Sequence, residues 1–187
     1  MSHRRPGRAL ALAFLLAPLL TLPARAQSGP IVLSAEGKEA LRPYRALLGT
    51  WEGPAKFTVA GGRVLDVRQF EAVREGAGGA ALVVEGRGTM ATPQGEREVH
   101  NALGVIWWDA AARELRMRAW LADGRWVDAT PTVEGSTLRW GHRDQTGTET
   151  RYTVTGLAEG VWREVGERRA PGGEWTRFTE LELRRKP

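Results

Sequence analysis

The spacing of its turns is what most constrains how this chain can fold. After residue 50 the turn signals fall at Gly61-Gly62, Gly76 to Gly79, Pro93-Gln94-Gly95, Asp109 to Ala112 and Asp123-Gly124. They continue at Glu134-Gly135, Gln145-Thr146-Gly147, Glu159-Gly160 and Pro171-Gly172-Gly173. Nine turns therefore separate ten segments of strand length, the interval expected of sandwiches and barrels. No segment beyond residue 50 is both long and helical in period, so no crossover helix can join parallel strands, and the strands are expected to pair antiparallel through hairpins. About ten strands cannot stay flat. Closing them into an up-and-down barrel removes both edges and can leave an interior cavity.

Alternation within the segments supports one packed and one wet face. Leu115, Met117, Ala119 and Leu121 oppose Arg116, Arg118 and Trp120, while Leu138, Trp140 and His142 oppose Arg139, Gly141 and Arg143. Thr150, Tyr152 and Val154 likewise oppose Glu149, Arg151 and Thr153. The run Leu103-Gly104-Val105-Ile106-Trp107-Trp108 is apolar on both faces and is expected to be covered on both.

Residues 1–26 read as a secretory signal. Arg4, Arg5 and Arg8 precede an apolar run from Ala9 to Leu22, and Ala24-Arg25-Ala26 is a small-x-small cleavage site. The run is short of the ~20 residues that span a bilayer, so no stable membrane anchor is expected after cleavage. A mature chain of residues 27–187 suits a single domain in the periplasm or outside the cell. Four arginines and no acid lie in the leader, so the formal charge of +5 falls to +1 on cleavage. Nothing then argues for nucleic acid, which needs a concentrated basic face. With no cysteine in the chain, stability must come from the core. Before the first strand, Ser34 is a fair N-cap for a short amphipathic helix over 35–48, with Leu41, Tyr44, Leu47 and Leu48 on one face and Pro43 as a stop, a kink or the first residue of a second short helix. Gly49 suits the left-handed position after it.

Gly49-Thr50-Trp51 is a G-x-W between a short helix and the first strand, and in that place it resembles the lipocalin-like, or calycin, barrels. Tyr44 to Gly53 is also similar to the Leu-x-x-Leu-Leu-Gly-x-Trp-x-Gly opening of an exported bacterial family of unknown function with such barrels. The resemblance implies that Gly49 and Trp51 close one end of an all-β, lipocalin-like barrel of about ten strands running from 51 to 185. It also implies a basic residue of the last strand over the indole, with Arg184 and Arg177 the candidates and Arg185 a weaker one. Haem-binding barrels of the nitrobindin type share the meander and the opening, which makes haem the one cofactor to consider, with His142 as its ligand.

Signals for chemistry are sparse. The mature chain has two histidines, His100 and His142, so three-histidine and cysteine-based zinc sites are excluded. Glu98 and His100, two apart on one strand, are expected to share a face, an arrangement open to a metal held with the second histidine or to a proton relay, though far commoner as cross-strand ion pairing or plain solvent exposure. There is no Gly-x-Ser-x-Gly elbow, and Gly76 to Gly79 joins strands rather than opening a helix. Arg116, Arg118, Arg139, Arg143, Arg151 and Arg163, with Glu149 and Glu164 nearby, are expected to form a cross-strand charge lattice on the outer surface, since buried unpaired charge is costly. All eight tryptophans lie in the mature part. Trp108, Trp120, Trp140, His142 and Tyr152 are the candidate ligand-binding residues. The expected function is noncatalytic binding or sequestration of a small apolar or amphipathic ligand. The rival readings are a small enzyme built on Glu98 and His100, and a filled barrel serving as a structural module.

Overall fold

The computed structural model describes residues 34–187. The proposed signal over 1–26 and the arm that follows it lie outside the described residues. Helix α1 (Ala35–Leu41) begins where Ser34 Oγ accepts a bond from the Gly37 amide at 2.9 Å. It stops before Pro43, which lacks an amide hydrogen, and the chain tightens into a 3₁₀ turn over Pro43–Leu47. The helical stretch expected over 35–48 is thus divided at Pro43, which opens the second of two short pieces. Their apolar side chains still fall on one side: Leu41, Tyr44 and Leu47 are all buried.

Eleven antiparallel strands follow: β1 (Gly49–Thr58), β2 (Val64–Gly76), β3 (Ala81–Thr92), β4 (Gly95–Asp109), β5 (Glu114–Leu121), β6 (Trp126–Ala129), β7 (Thr132–Glu134), β8 (Thr137–Arg143), β9 (Glu149–Thr155), β10 (Val161–Arg169) and β11 (Thr176–Arg185). They form one sheet in the order β6-β5-β4-β3-β2-β1-β11-β10-β9-β8-β7. Every neighbour is a sequence neighbour except β1 and β11, where the two ends of the meander pair, with Trp51 opposite Arg185 and Ala55 opposite Leu181. The all-β, up-and-down expectation therefore holds, with eleven strands where the turns suggested about ten.

The extra strand comes from Pro131. The segment expected to be one strand breaks at Thr130-Pro131 into β6 and β7, which become the two edges of the curled sheet. Proline has no hydrogen to donate to a ladder, so it sits where pairing stops. Among the described residues no ladder joins β6 to β7. The curled sheet is a half-barrel with a seam at Pro131.

The core fills the end nearest the helix. Trp51, Leu82, Leu183 and Leu41 are fully buried there, with Ile106, Val73, Leu157 and Trp162 around them. Trp51 meets Trp162 edge to face, with ring centroids 5.8 Å apart at 84°. No described helix is long and apolar enough to cross a membrane.

Candidate functional site

The two ends of the curled sheet differ. At the helix end, the Trp51 indole donates to the Leu47 carbonyl at 2.7 Å, tying the first strand to the 3₁₀ turn. The guanidinium of Arg185 lies over the same ring, 4.1 Å from its centroid, and donates to the carbonyls of Ala46 and Leu48. Gly49 has φ +115°, and a Cβ there would lie 2.9 Å from that guanidinium. A side chain at 49 would thus collide with the group that caps the barrel.

Toward the other end the inner face is only half-buried and becomes aromatic. Trp140 stacks on Tyr152 with centroids 3.8 Å apart and planes 9° from parallel. Phe178 meets Tyr152 edge-on at 5.7 Å, and Phe57 stacks on His100 at the same separation. These side chains retain contact with solvent, so this end is open.

Between the sealed floor and the aromatic mouth lies a polar centre. On β2 the residues Val67, Gln69, Glu71 and Val73 all face inward, and Gln69 and Glu71 are 1% and 8% exposed. Gln69 Nε2 donates to Glu71 Oε1 at 2.7 Å. Glycines on β3 receive the two side chains. A Cβ at Gly86 would fall 2.7 Å from the Glu71 carboxyl, and one at Gly88 would fall 2.6 Å from Gln69 Oε1. From β10, Glu164 faces the same interior and accepts the Trp162 indole hydrogen at 3.1 Å. Glu164 is ringed by protein yet keeps partial solvent contact, which places it below the mouth rather than sealed in the floor.

Burial dominates the titration of these groups. Loss of solvation pushes Glu71 up to about 8, against the opposing Gln69 bond and with a further upward contribution from Glu164. Burial raises Glu164 to about 7, opposed by the Trp162 bond. Tyr152 is raised by burial and then by the Glu164 charge. His100 and His142 are lowered, chiefly by burial, and both stay neutral near pH 7. Among the described residues no ion pair reaches Glu71 or Glu164, and no cluster of three His, Asp or Glu could hold a metal. Gln69 Oε1, Thr179 Oγ1 and His142 Nδ1 are buried without a hydrogen-bond partner.

The fold recurs in a solved structure. The crystal structure of Rv2717c from Mycobacterium tuberculosis superimposes with a TM-score of 0.56 at 14% identity, over 79% of this chain and 98% of that one. A likeness at that identity is one of fold. A Nostoc punctiforme protein of unknown function from the DUF3598 family aligns over 79% of this chain and 99% of its own at 9% identity, with a TM-score of only 0.29. No protein-family model matches the chain, and no curated protein sequence matches it.

The structure separates the residues expected to form a ligand site. Trp140, Tyr152 and His142 do share the inner face near the mouth. Trp108 is on the inner face too, but at the helix end, where its ring packs on Gly37. Trp120 is not in the interior: it lies on the outer face, 38% exposed, beside Trp126 and under Arg118. Its neighbours Met117 and Ala119 take the inward positions of β5, so the alternation of that strand sends Trp120 out. The cap on Trp51 is Arg185 and not Arg184, whose side chain is exposed and turned to Glu182. Arg185 lies directly opposite Trp51 in the β1–β11 register, which puts it on the indole's own face. Arg177 pairs with Glu180, away from the floor.

Glu98 and His100 are parted by a bulge. The β3–β4 register runs Gly88 with His100 but Thr89 with Glu98, leaving Val99 unpaired. The extra residue reverses the alternation: His100 faces inward on Phe57, while Glu98 faces out and accepts from Asn101. The arginine lattice is external, with Arg118 on Asp128, Arg139 on Glu134, Arg143 and Arg169 on Glu149, Arg151 on Glu167 and Arg163 on Glu182. Glu164, grouped with that lattice by sequence, faces the other way. A surface cleft of about 550 Å³ beside Pro171 is lined by Arg143 and Arg169, both already committed to Glu149.

Sequence reasoning passed over Glu71, Gln69 and the inward turn of Glu164. A signal was present. Val67, Gln69, Glu71 and Val73 share one parity, with apolar residues at both ends, and Gly86 and Gly88 stand two apart on the adjoining strand.

Proposed function

We propose that this protein binds a small, largely apolar ligand noncatalytically inside the curled sheet, entering at the end away from the helix. The observation that carries the reading is the contrast between the two ends. The helix end is sealed by Trp51, Leu183 and Arg185, while the inner face at the other end presents Trp140, Tyr152, Phe57 and Phe178 half-exposed. A filled barrel has no use for an aromatic lining left wet at one end, whereas a ligand site requires concave apolar walls with a few oriented polar groups. The fold shared with Rv2717c, and the placement of Gly49, Trp51 and Arg185, support a lipocalin-like assignment. The leader-like residues 1–26 support export, so the proposed place of action is the periplasm or the exterior. Native mass spectrometry of the protein purified from its own host tests both points. The expected result is a mature chain beginning at Gln27 that carries a noncovalent adduct. A bare chain that also fails to quench Trp140 fluorescence with any apolar probe would count against binding.

One observation favours haem as a second reading. His142 lies on the inner face near the mouth, with a buried unpartnered nitrogen and its neutral, ligating form favoured. Haem titration would then give a Soret band that is lost in His142→Ala. Absence of any band leaves the apolar-ligand reading alone.

A further inference from the structure

We propose that Glu71 and Glu164 form the recognition point for a primary ammonium group carried on a small apolar body. This rests on the ligand-binding reading above and specifies the chemical class of its ligand.

The argument is one of donors and acceptors. The polar groups at the centre of the interior are the carboxyls of Glu71 and Glu164 and the Gln69 amide, with the Thr179 hydroxyl nearer the mouth, opposite Phe57 and Gly166. Two hydrogens are already committed: Gln69 Nε2 goes to Glu71, and the Trp162 indole goes to Glu164. The buried side-chain atoms left there without any partner are oxygens. Gln69 Oε1, in a side chain 1% exposed, and Thr179 Oγ1, in one 4% exposed, have no partner. Buried acceptors are costly when unmatched. A group offering three hydrogens and a positive charge matches this set, and an ammonium has both. An anion does not, because it brings no hydrogen to the unpartnered oxygens and would oppose ionisation of both carboxyls.

The distribution of charge points the same way. The many arginines of the surface are paired on the outer face, and Arg185 is beneath the floor. Arg168 reaches the inner side only at the rim, over Phe178. The middle of the interior is therefore acidic, in a chain of net positive charge. Above it, Tyr152 and Trp140 offer an aromatic wall for the body of the ligand. In the free protein both carboxyls are held wholly or partly protonated by burial. Docking an ammonium stabilises the carboxylate form, so binding releases a carboxyl proton to solvent, and affinity should rise with pH. Of the other titratable groups facing the interior, burial shifts His100 and His142 downward and Tyr152 upward, so the histidines lose charge rather than gain it as the pH rises.

The test uses the purified mature chain and titration calorimetry with two probes of one shape, phenethylammonium chloride and phenethyl alcohol. The ammonium should bind at least about tenfold more tightly than the alcohol at pH 8, and its affinity should rise about fivefold from pH 6 to pH 7 as Glu164 gives up its proton. Glu164→Gln, which keeps the shape and the Trp162 bond, should erase both the preference and most of the pH dependence. Equal binding of the two probes, with no pH dependence, would overturn the ammonium assignment while leaving the apolar-ligand reading intact. Binding of neither probe would overturn both. A preference that survives in Glu164→Gln and in Glu71→Gln would show that the cation is held elsewhere, and would likewise overturn the assignment.

Discussion

Replacing Glu71 with glutamine should stabilise this protein, and by an amount that depends on pH. The carboxyl titrates near 8 when folded, against 4.5 for an ordinary glutamate. The unfolded chain therefore gives up this proton around pH 4.5, while the folded chain keeps it until about pH 8. Across that window the native state holds the extra proton, so raising the pH favours unfolding. Each tenfold difference in proton affinity is about 1.36 kcal/mol, so this one group costs under about 1 kcal/mol at pH 5 and about 3 kcal/mol at pH 7. Glutamine has nearly the same shape, can still accept from Gln69 Nε2, and never ionises. Glu71→Gln should therefore raise stability by about 3 kcal/mol at pH 7, about 6–12 °C in Tm for a domain of this size. At pH 5 the gain should be under about 1 kcal/mol. The assay is urea unfolding of both proteins at pH 5, 6, 7 and 8, followed by tryptophan fluorescence. The difference between the two curves matters, because His100 and His142 are shifted downward in the folded state and contribute stability in the opposite sense, gained as pH rises through their range. Glu164 adds a slope of the same sign as Glu71 to both proteins. A difference that stays constant from pH 5 to 8, or a variant less stable than the parent at pH 8, would refute the reasoning.

Arg185→Ala should cost about 1–3 kcal/mol, since it removes a guanidinium from the Trp51 face together with its bonds to two carbonyls, whereas Arg184→Ala should stay within about 0.5 kcal/mol. Thermal melts of the two variants check the pair, and equal losses would contradict the assignment of Arg185 as the cap. Gly49→Ala should destabilise by at least about 1 kcal/mol, because it combines a positive φ with a Cβ 2.9 Å from the same guanidinium. Combining it with Arg185→Ala should remove the steric part of that cost, which a double-mutant cycle reads directly. Gly86→Ala should push the Glu71 carboxyl from its seat and cost about 1–3 kcal/mol, and its penalty should change in Glu71→Gln if the two positions are coupled.

Much of the fold could be read from the sequence because it depends on local patterns. Turn residues at Gly61-Gly62, Asp123-Gly124 or Pro171-Gly172 set where strands stop, and the lack of a long helical period after residue 50 left only hairpin connections. Ser34 and Pro43 bounded the helix, because capping and a missing amide act within a few residues. Gly49 and Trp51 were assigned to a closed end only through the resemblance of Gly49-Thr50-Trp51 to the lipocalin-like opening. Tertiary structure decided the rest. Two bulges interrupt the alternation: the one at Val99 sent Glu98 out and His100 in, and the one at Gly166 and Glu167 left Phe178 as an extra residue beside Tyr152. A sequence does not announce a bulge, and each one inverts every side-chain direction beyond it. The register of β1 on β11 chose Arg185 over Arg184, because pairing 134 residues apart in the chain depends on how the whole meander curls and not on either strand alone. The polar centre came from the same source. Glu71 and Glu164 are 93 residues apart, each in a segment where an acid between apolar residues reads equally well as a surface position. Only closure of β2 and β10 around one interior turns both carboxyls toward the same space, and the loss of water there is what gives them their chemistry.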